Sequence, residues 1–128
     1  NIDLEYWMTS LPPQLKSWPL IHLAIPGSHD SMTAAITKSS KLAPDAESVL
    51  QKLKFLGPLL RLIMSRWSKT QAFNITDQLK CGIRYFDLRV ATKRNNVYPY
   101  FVHGLYAQEV LSMLTSVKEF IDIHPREF

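Results

Sequence analysis

Cysteine is almost missing: Cys81 stands alone among 128 residues, so no internal disulfide can form and a reducing compartment is expected. No apolar run is long enough to cross a bilayer, and the longest, 55–64, is interrupted by Gly57, Pro58 and Arg61. The opening Asn1-Ile2-Asp3-Leu4-Glu5 lacks the basic-then-apolar pattern of a secretion signal, and without an initial Met a trimmed start is expected. Zinc-ligand spacing, aromatic-basic nucleic-acid motifs, internal repeats and low-complexity tracts are also lacking. These absences lead to a cytoplasmic globular domain, or part of one, with no nucleic-acid partner.

What is present is a moderately basic, core-forming chain. The net charge is +4, the isoelectric point about 9.3 and the hydrophobic share 46%. That composition supports a core without disulfides or structural metals. The basic balance favours anionic partners, including phosphorylated headgroups and acidic membrane surfaces, without choosing among them.

Residues 20–25 read as a short strand closed by Pro26-Gly27, and Asp30 or Ser31 as the cap of a helix through 32–36. Residues 48–69 read as helical, with Leu50, Leu53, Leu56, Leu60, Ile63, Met64 and Trp67 apolar and a break at Gly57-Pro58. A short helix over 76–81 is capped by Thr76 and ended by Gly82. Alternation makes 83–90 the clearest strand, with Asp87 and Arg89 on one face. A turn at Asn95-Asn96 precedes a strand over 98–102 that ends at His103-Gly104. An amphipathic helix over 107–123 carries Val110, Leu111, Leu114, Val117, Phe120 and Ile121 on one stripe and stops at Pro125. The class is α/β. The strands are too few for a closed (β/α)₈ barrel; if that is the fold, the chain supplies roughly its first half.

In parallel α/β architectures the strand C-termini converge on the ligand site. His29 follows the first predicted strand, Asp87 and Arg89 end the second and His103 ends the third. With Asp30, they form a set suited to phosphodiester cleavage without a metal. One histidine would take a proton from the attacking hydroxyl and the other would protonate the departing alkoxide. The guanidinium would bind the phosphoryl oxygens. Singly, each residue has a plainer reading as a structural histidine or a local ion pair; their shared placement argues for chemistry. His22 and His124 lack that placement and read as structural.

The runs Ala24-Ile25-Pro26-Gly27-Ser28-His29-Asp30-Ser31, Gln78 through Arg89 and Phe101-Val102-His103-Gly104 resemble the X-box of phosphatidylinositol-specific phospholipases C. The likeness is to X-domain-containing proteins of the bacterial-like branch. It implies that 1–128 is an X-box domain, the N-terminal half of a TIM barrel that continues past Phe128. It further implies His29 as general base on the inositol 2-hydroxyl and His103 as general acid, with Asp30 as its carboxylate partner. Arg89 is the implied phosphate-stabilising residue and Asp87 a carboxylate of the same site. Diacylglycerol and inositol 1,2-cyclic phosphate are the implied products, with slow opening of the cyclic ester.

Calcium-dependent members of the family carry Asn after the first histidine and Glu-x-Asp on the second strand, where this chain has Asp30 and Asp87-Leu88-Arg89. A calcium-independent site with no cofactor is therefore expected, since arginine stands where a calcium ligand would. The family's remaining strands supply further inositol contacts and the carboxylate that orients the base. A chain lacking them is expected to position substrate poorly and to self-associate through an exposed strand edge. Two rivals stand beside this reading. A glycerophosphodiester phosphodiesterase would need His-Arg-Gly and Glu-x-Asp metal ligands, which are lacking; a catalytically silent lipid-binding or interaction module remains open. The stretch 48–69, with Lys52, Lys54, Arg61, Arg66 and Lys69 among its apolar residues, reads as a barrel helix packing on the sheet in preference to an interfacial helix on anionic lipid.

Overall fold

The structure, a computed structural model, describes residues 2–127 apart from the side chains of Val49, Leu53 and Lys54. Leu53 in the predicted stripe, Lys54 in the predicted basic set and Phe128 therefore lie outside what is described. The chain runs through a 3-10 turn (Leu4–Tyr6), α1 (Pro13–Lys16), a second 3-10 turn (Leu20–His22) and β1 (Gly27–Ser28). Then come α2 (Ser48–Lys52), a third 3-10 turn (Leu53–Leu56), α3 (Gly57–Ser68) and α4 (Ile75–Lys80). It ends in β2 (Tyr85–Phe86), β3 (Val90–Thr92), β4 (Pro99–His103), β5 (Leu105–Glu109) and α5 (Val110–Ile123).

Two small sheets replace the three parallel strands expected. β1 pairs parallel with β2, Gly27 opposite Tyr85 and Ser28 opposite Phe86. Gly27 permits this approach: a β-carbon there would sit 2.9 Å from Tyr85 Cδ1. β3, β4 and β5 form an antiparallel sheet in that order. The predicted strand 83–90 is thus divided. Its first part pairs with β1, its last residue begins β3, and Asp87-Leu88-Arg89 lies between the sheets. Consequently His103 reaches the site on an antiparallel hairpin, not at the end of a third parallel strand. Among the described residues no closed barrel is present.

Local corrections have local causes. Residues 20–22 turn after Pro19, with His22 N–H donating to Pro19 O and Leu23 N–H to Leu20 O, so the backbone is satisfied without a ladder. Leu20 and Ile21 consequently face solvent. No helix forms over 32–36: Ser31 Oγ donates to Ser28 O in the same loop and accepts from Asp87 N–H, while Thr33 Oγ1 accepts from Thr70 and Gln71 N–H. Asn74, two residues earlier than expected, caps α4 by accepting from Asp77 N–H. Gly57-Pro58 does divide the long helical stretch, with proline in the first turn of α3. The unpredicted β5 occupies 105–109, so α5 starts three residues later than periodicity suggested.

Two apolar clusters hold the fold. Met32, Ile75, Leu79, Phe101, Met113 and Phe120 pack together beneath Val110 and Val117. Ile36, Ala46, Leu60, Met64 and Leu105 form the second, and Ala107 joins both. The buried stripe of α5 is therefore Val110, Met113, Val117 and Phe120; Leu111 and Leu114, placed on it from sequence, are exposed. In α3, Leu60 and Met64 face inward while Leu59, Leu62, Ile63 and Trp67 remain exposed. The sheet-packing reading of this helix holds for one face only.

Candidate active site

The loop after β1 is fixed before any charge is considered. Gln78, buried on α4, donates through Nε2 to Ser31 O (2.7 Å) and Phe73 O (2.9 Å). Its Oε1 lies 2.6 Å from Ser28 Oγ. Ser31 Oγ donates to Ser28 O and accepts from Asp87 N–H at 2.9 Å, linking the first loop to the end of β2. Within this frame Asp30 adopts φ 45°, a left-handed conformation that aspartate tolerates better than most residues. That conformation turns its carboxylate inward, where the side chain is fully shielded.

Asp30 is the hub of the site. Its Oδ2 lies 2.9 Å from His29 Nε2 and 3.2 Å from His103 Nε2, and its Oδ1 lies 2.8 Å from Arg89 Nε. Asp87 Oδ2 receives His29 Nδ1 at 3.0 Å, Arg89 Nη2 at 3.1 Å and Asp30 N–H at 3.2 Å. The Asp30 N–H bond is the main reason that the Asp87 carboxyl lies below its usual range, with the Arg89 hydrogen bond next. The bond to Asp87 in turn raises Arg89 above its already high value, so the guanidinium is permanently cationic. The two imidazole rings stand 6.2 Å apart between centroids, edge to face.

His103 is held by the helical excursion. Its Nδ1–H donates to Ser68 O at 2.9 Å, at the last residue of α3, and the Trp67 ring stacks on it at 5.8 Å with a 23° interplanar angle. The hairpin turn behind it is secured by Gly104 N–H donating to Asp45 Oδ2 at 3.0 Å. Gly104 has φ +66°, and a β-carbon would come 3.2 Å from Ser68 Oγ.

All five predicted residues, His29, Asp30, Asp87, Arg89 and His103, are therefore in one constellation. His22 stands apart in its exposed turn. His124 is buried and structural, with Nδ1–H donating to Phe120 O and Nε2 2.9 Å from Glu5 Oε1. Sequence reasoning missed Gln78, Trp67 and the Ser68 carbonyl. A glutamine on the inward side of a short helix gives a weak signal, and a backbone carbonyl gives none. His29, Asp30 and Asp87 offer atoms within 4.8 Å of one another that a cation could use. Arg89, however, already holds an oxygen of each carboxylate, and a metal would have to displace it.

Fold and site together describe an α/β protein with a two-histidine, arginine-bearing site, and in structure it resembles phosphatidylinositol-specific phospholipase C. More particularly, the chain is a homologue of the PI-PLC X domain-containing proteins. It is 42% identical over 123 residues to human PI-PLC X domain-containing protein 2, covering 94% of this chain and 40% of that protein. To human PI-PLC X domain-containing protein 1 it is 41% identical over 127 residues, covering 96% and 39%. A structure of S. aureus phosphatidylinositol-specific phospholipase C, concerned with modulation of its membrane binding, matches with a TM-score of 0.67 and 26% identity, covering 96% of this chain and 32% of that one. No family model matches the chain. The chain spans about two fifths of the length of these curated relatives.

Proposed function

We propose that this chain carries the acid–base half of a metal-independent phosphodiesterase that cleaves phosphatidylinositol to diacylglycerol and inositol 1,2-cyclic phosphate. The observation carrying this reading is the joint seating of His29, His103 and Arg89 on the single buried carboxylate of Asp30. Arg89 is aimed to receive phosphoryl oxygens as their charge grows. The inositol 2-hydroxyl attacks phosphorus, His29 accepts its proton, the bond to the glyceryl oxygen breaks and His103 protonates that oxygen. His103 Nδ1 is held by Ser68 O and its Nε2 lies 3.2 Å from Asp30 Oδ2, so the ring is fixed beside a carboxylate. His29 also has carboxylates on both nitrogens, so the substrate hydroxyl must take over one of them before His29 acts as a base.

On this reading β1 and β2 are the first two strands of a (β/α)₈ barrel whose remainder would supply further inositol contacts. Arg89 would replace a calcium ion, so chelation would leave activity intact. The exposed Leu59, Ile63 and Trp67 face of α3, with Arg66 and Lys69 nearby, would rest on anionic lipid and place a cytoplasmic protein peripherally at membranes. Exposed Tyr85, Leu88 and Val90 beside β2 would favour self-association if left uncovered. The second reading, a silent lipid-binding module, draws on the exposed apolar face of α3. Release of inositol cyclic phosphate from phosphatidylinositol vesicles separates the two: loss in His29→Ala and His103→Ala supports the enzyme, and vesicle binding without release supports the module.

A further inference from the structure

A cavity of about 310 Å³ opens beside His103 and Arg89, walled by Trp67, Val90 and Val102 and bordered by Asp45. His29 is not part of its wall. We infer that this cavity seats the leaving alcohol, and that Trp67, Val90 and Val102 select an uncharged glyceryl group with the first carbons of its chains. The inference rests on the phosphodiesterase reading and adds to it a specificity-determining pocket.

Four observations converge. In an in-line displacement the base and acid flank phosphorus on opposite sides, so a space bounded by the acid and the phosphate-binding arginine lies on the departing side. Its side walls are apolar, and 310 Å³ is at the small end of ligand sites, suited to a glyceryl unit rather than whole acyl chains. Asp45 and Glu47 border it, and Arg89, the cation beside it, is already matched by Asp30 and Asp87. A phosphorylated or carboxylated alcohol would meet uncompensated like charge there, so a neutral one is favoured. Trp67 is exposed apart from its stack on His103, so its ring is open to a ligand in the cavity it lines.

The test uses monomeric dihexanoyl-phosphatidylinositol, below its micelle concentration so that membrane partition plays no part, beside inositol 1,2-cyclic phosphate, whose hydrolysis releases no alcohol. Trp67→Ala should lower kcat/KM for the lipid about tenfold but that for the cyclic ester no more than about twofold, with Trp67→Phe recovering most of the loss. Equal losses on both substrates would overturn the pocket and make Trp67 a support of His103 alone. Independently of turnover, dihexanoylglycerol should saturably shift the NMR signals of the Trp67 indole, identified by Trp67→Phe, and of the His103 ring. No shift would also overturn it. A chain that binds dihexanoylglycerol this way yet cleaves neither substrate would defeat the phosphodiesterase reading while leaving an alcohol-binding cavity.

Discussion

Arg84 Nη2 lies 2.9 Å from Glu127 Oε2, and both side chains are sealed from solvent. Glu127 also accepts from Met8 N–H, Thr9 N–H and Thr9 Oγ, while Arg84 donates to Leu79 O, Ile83 O and Glu5 O. This clasp ties the segment after the first turn, the approach to β2 and the residues past α5. Removing one partner strands a buried charge. Arg84→Met is expected to lower stability by about 3–5 kcal/mol in urea unfolding, with Arg84→Met/Glu127→Leu costing less than the two single variants combined. Strict additivity would count against the clasp.

The same pair sets the acid limit of the fold. Burial pushes the Glu127 carboxyl up, but hydrogen bonds from Thr9 and Arg84 outweigh it and leave it below its usual value. A depressed folded value means stability that is fully present above the ordinary glutamate range and lost as pH falls through the folded value. Acid titration followed by circular dichroism should therefore show Glu127→Gln less stable at neutral pH, with a gap to wild type that narrows on acidification. A pH-independent gap would contradict this assignment.

With His29 proposed as base and His103 as acid, the two should respond differently to the leaving group. His29→Ala is expected to lose about 10²–10⁴-fold on any substrate. His103→Ala should lose as much on phosphatidylinositol but far less on an aryl phosphodiester whose phenolate departs unprotonated. Equal loss by His103→Ala on both would remove it as the acid.

Arg89→Lys keeps the charge and forfeits the planar fork that now spans Asp30 and Asp87. A fall of about 10²–10³-fold in kcat is expected, with little change in unfolding midpoint. Activity within about twofold of wild type would show a point charge to be sufficient.

Leu59 and Ile63 project from α3 without packing beneath them. Replacing both with Ser should weaken sedimentation with phosphatidylserine-containing vesicles while leaving turnover of monomeric lipid near wild type. Undiminished vesicle binding would assign this face elsewhere.

The candidate site was legible in the sequence because its members sit in short runs of fixed chemistry: His29-Asp30 after a glycine turn, Asp87 and Arg89 two apart, His103 before a glycine. The route by which they meet was not. A period-two pattern cannot tell one strand from two consecutive strands in different sheets, so the break at Asp87-Leu88-Arg89 was hidden. The last three residues of β5 were absorbed into the predicted helix because Ala107, Gln108 and Glu109 lack the β-branched or aromatic character that marks a strand. The clasp escaped notice since nothing local announces that Arg84 and Glu127 will be neighbours.

Gly104 contributes no functional group, yet its hydrogen-sized side chain sets how near the hairpin comes to α3, and so where the preceding imidazole rests. Substitution there would combine left-handed backbone strain with crowding of a few tenths of an ångström against Ser68 and Met64. Replacement should thus be poorly tolerated at a residue with no chemistry of its own, and loss of rate without loss of any reactive group would be its signature.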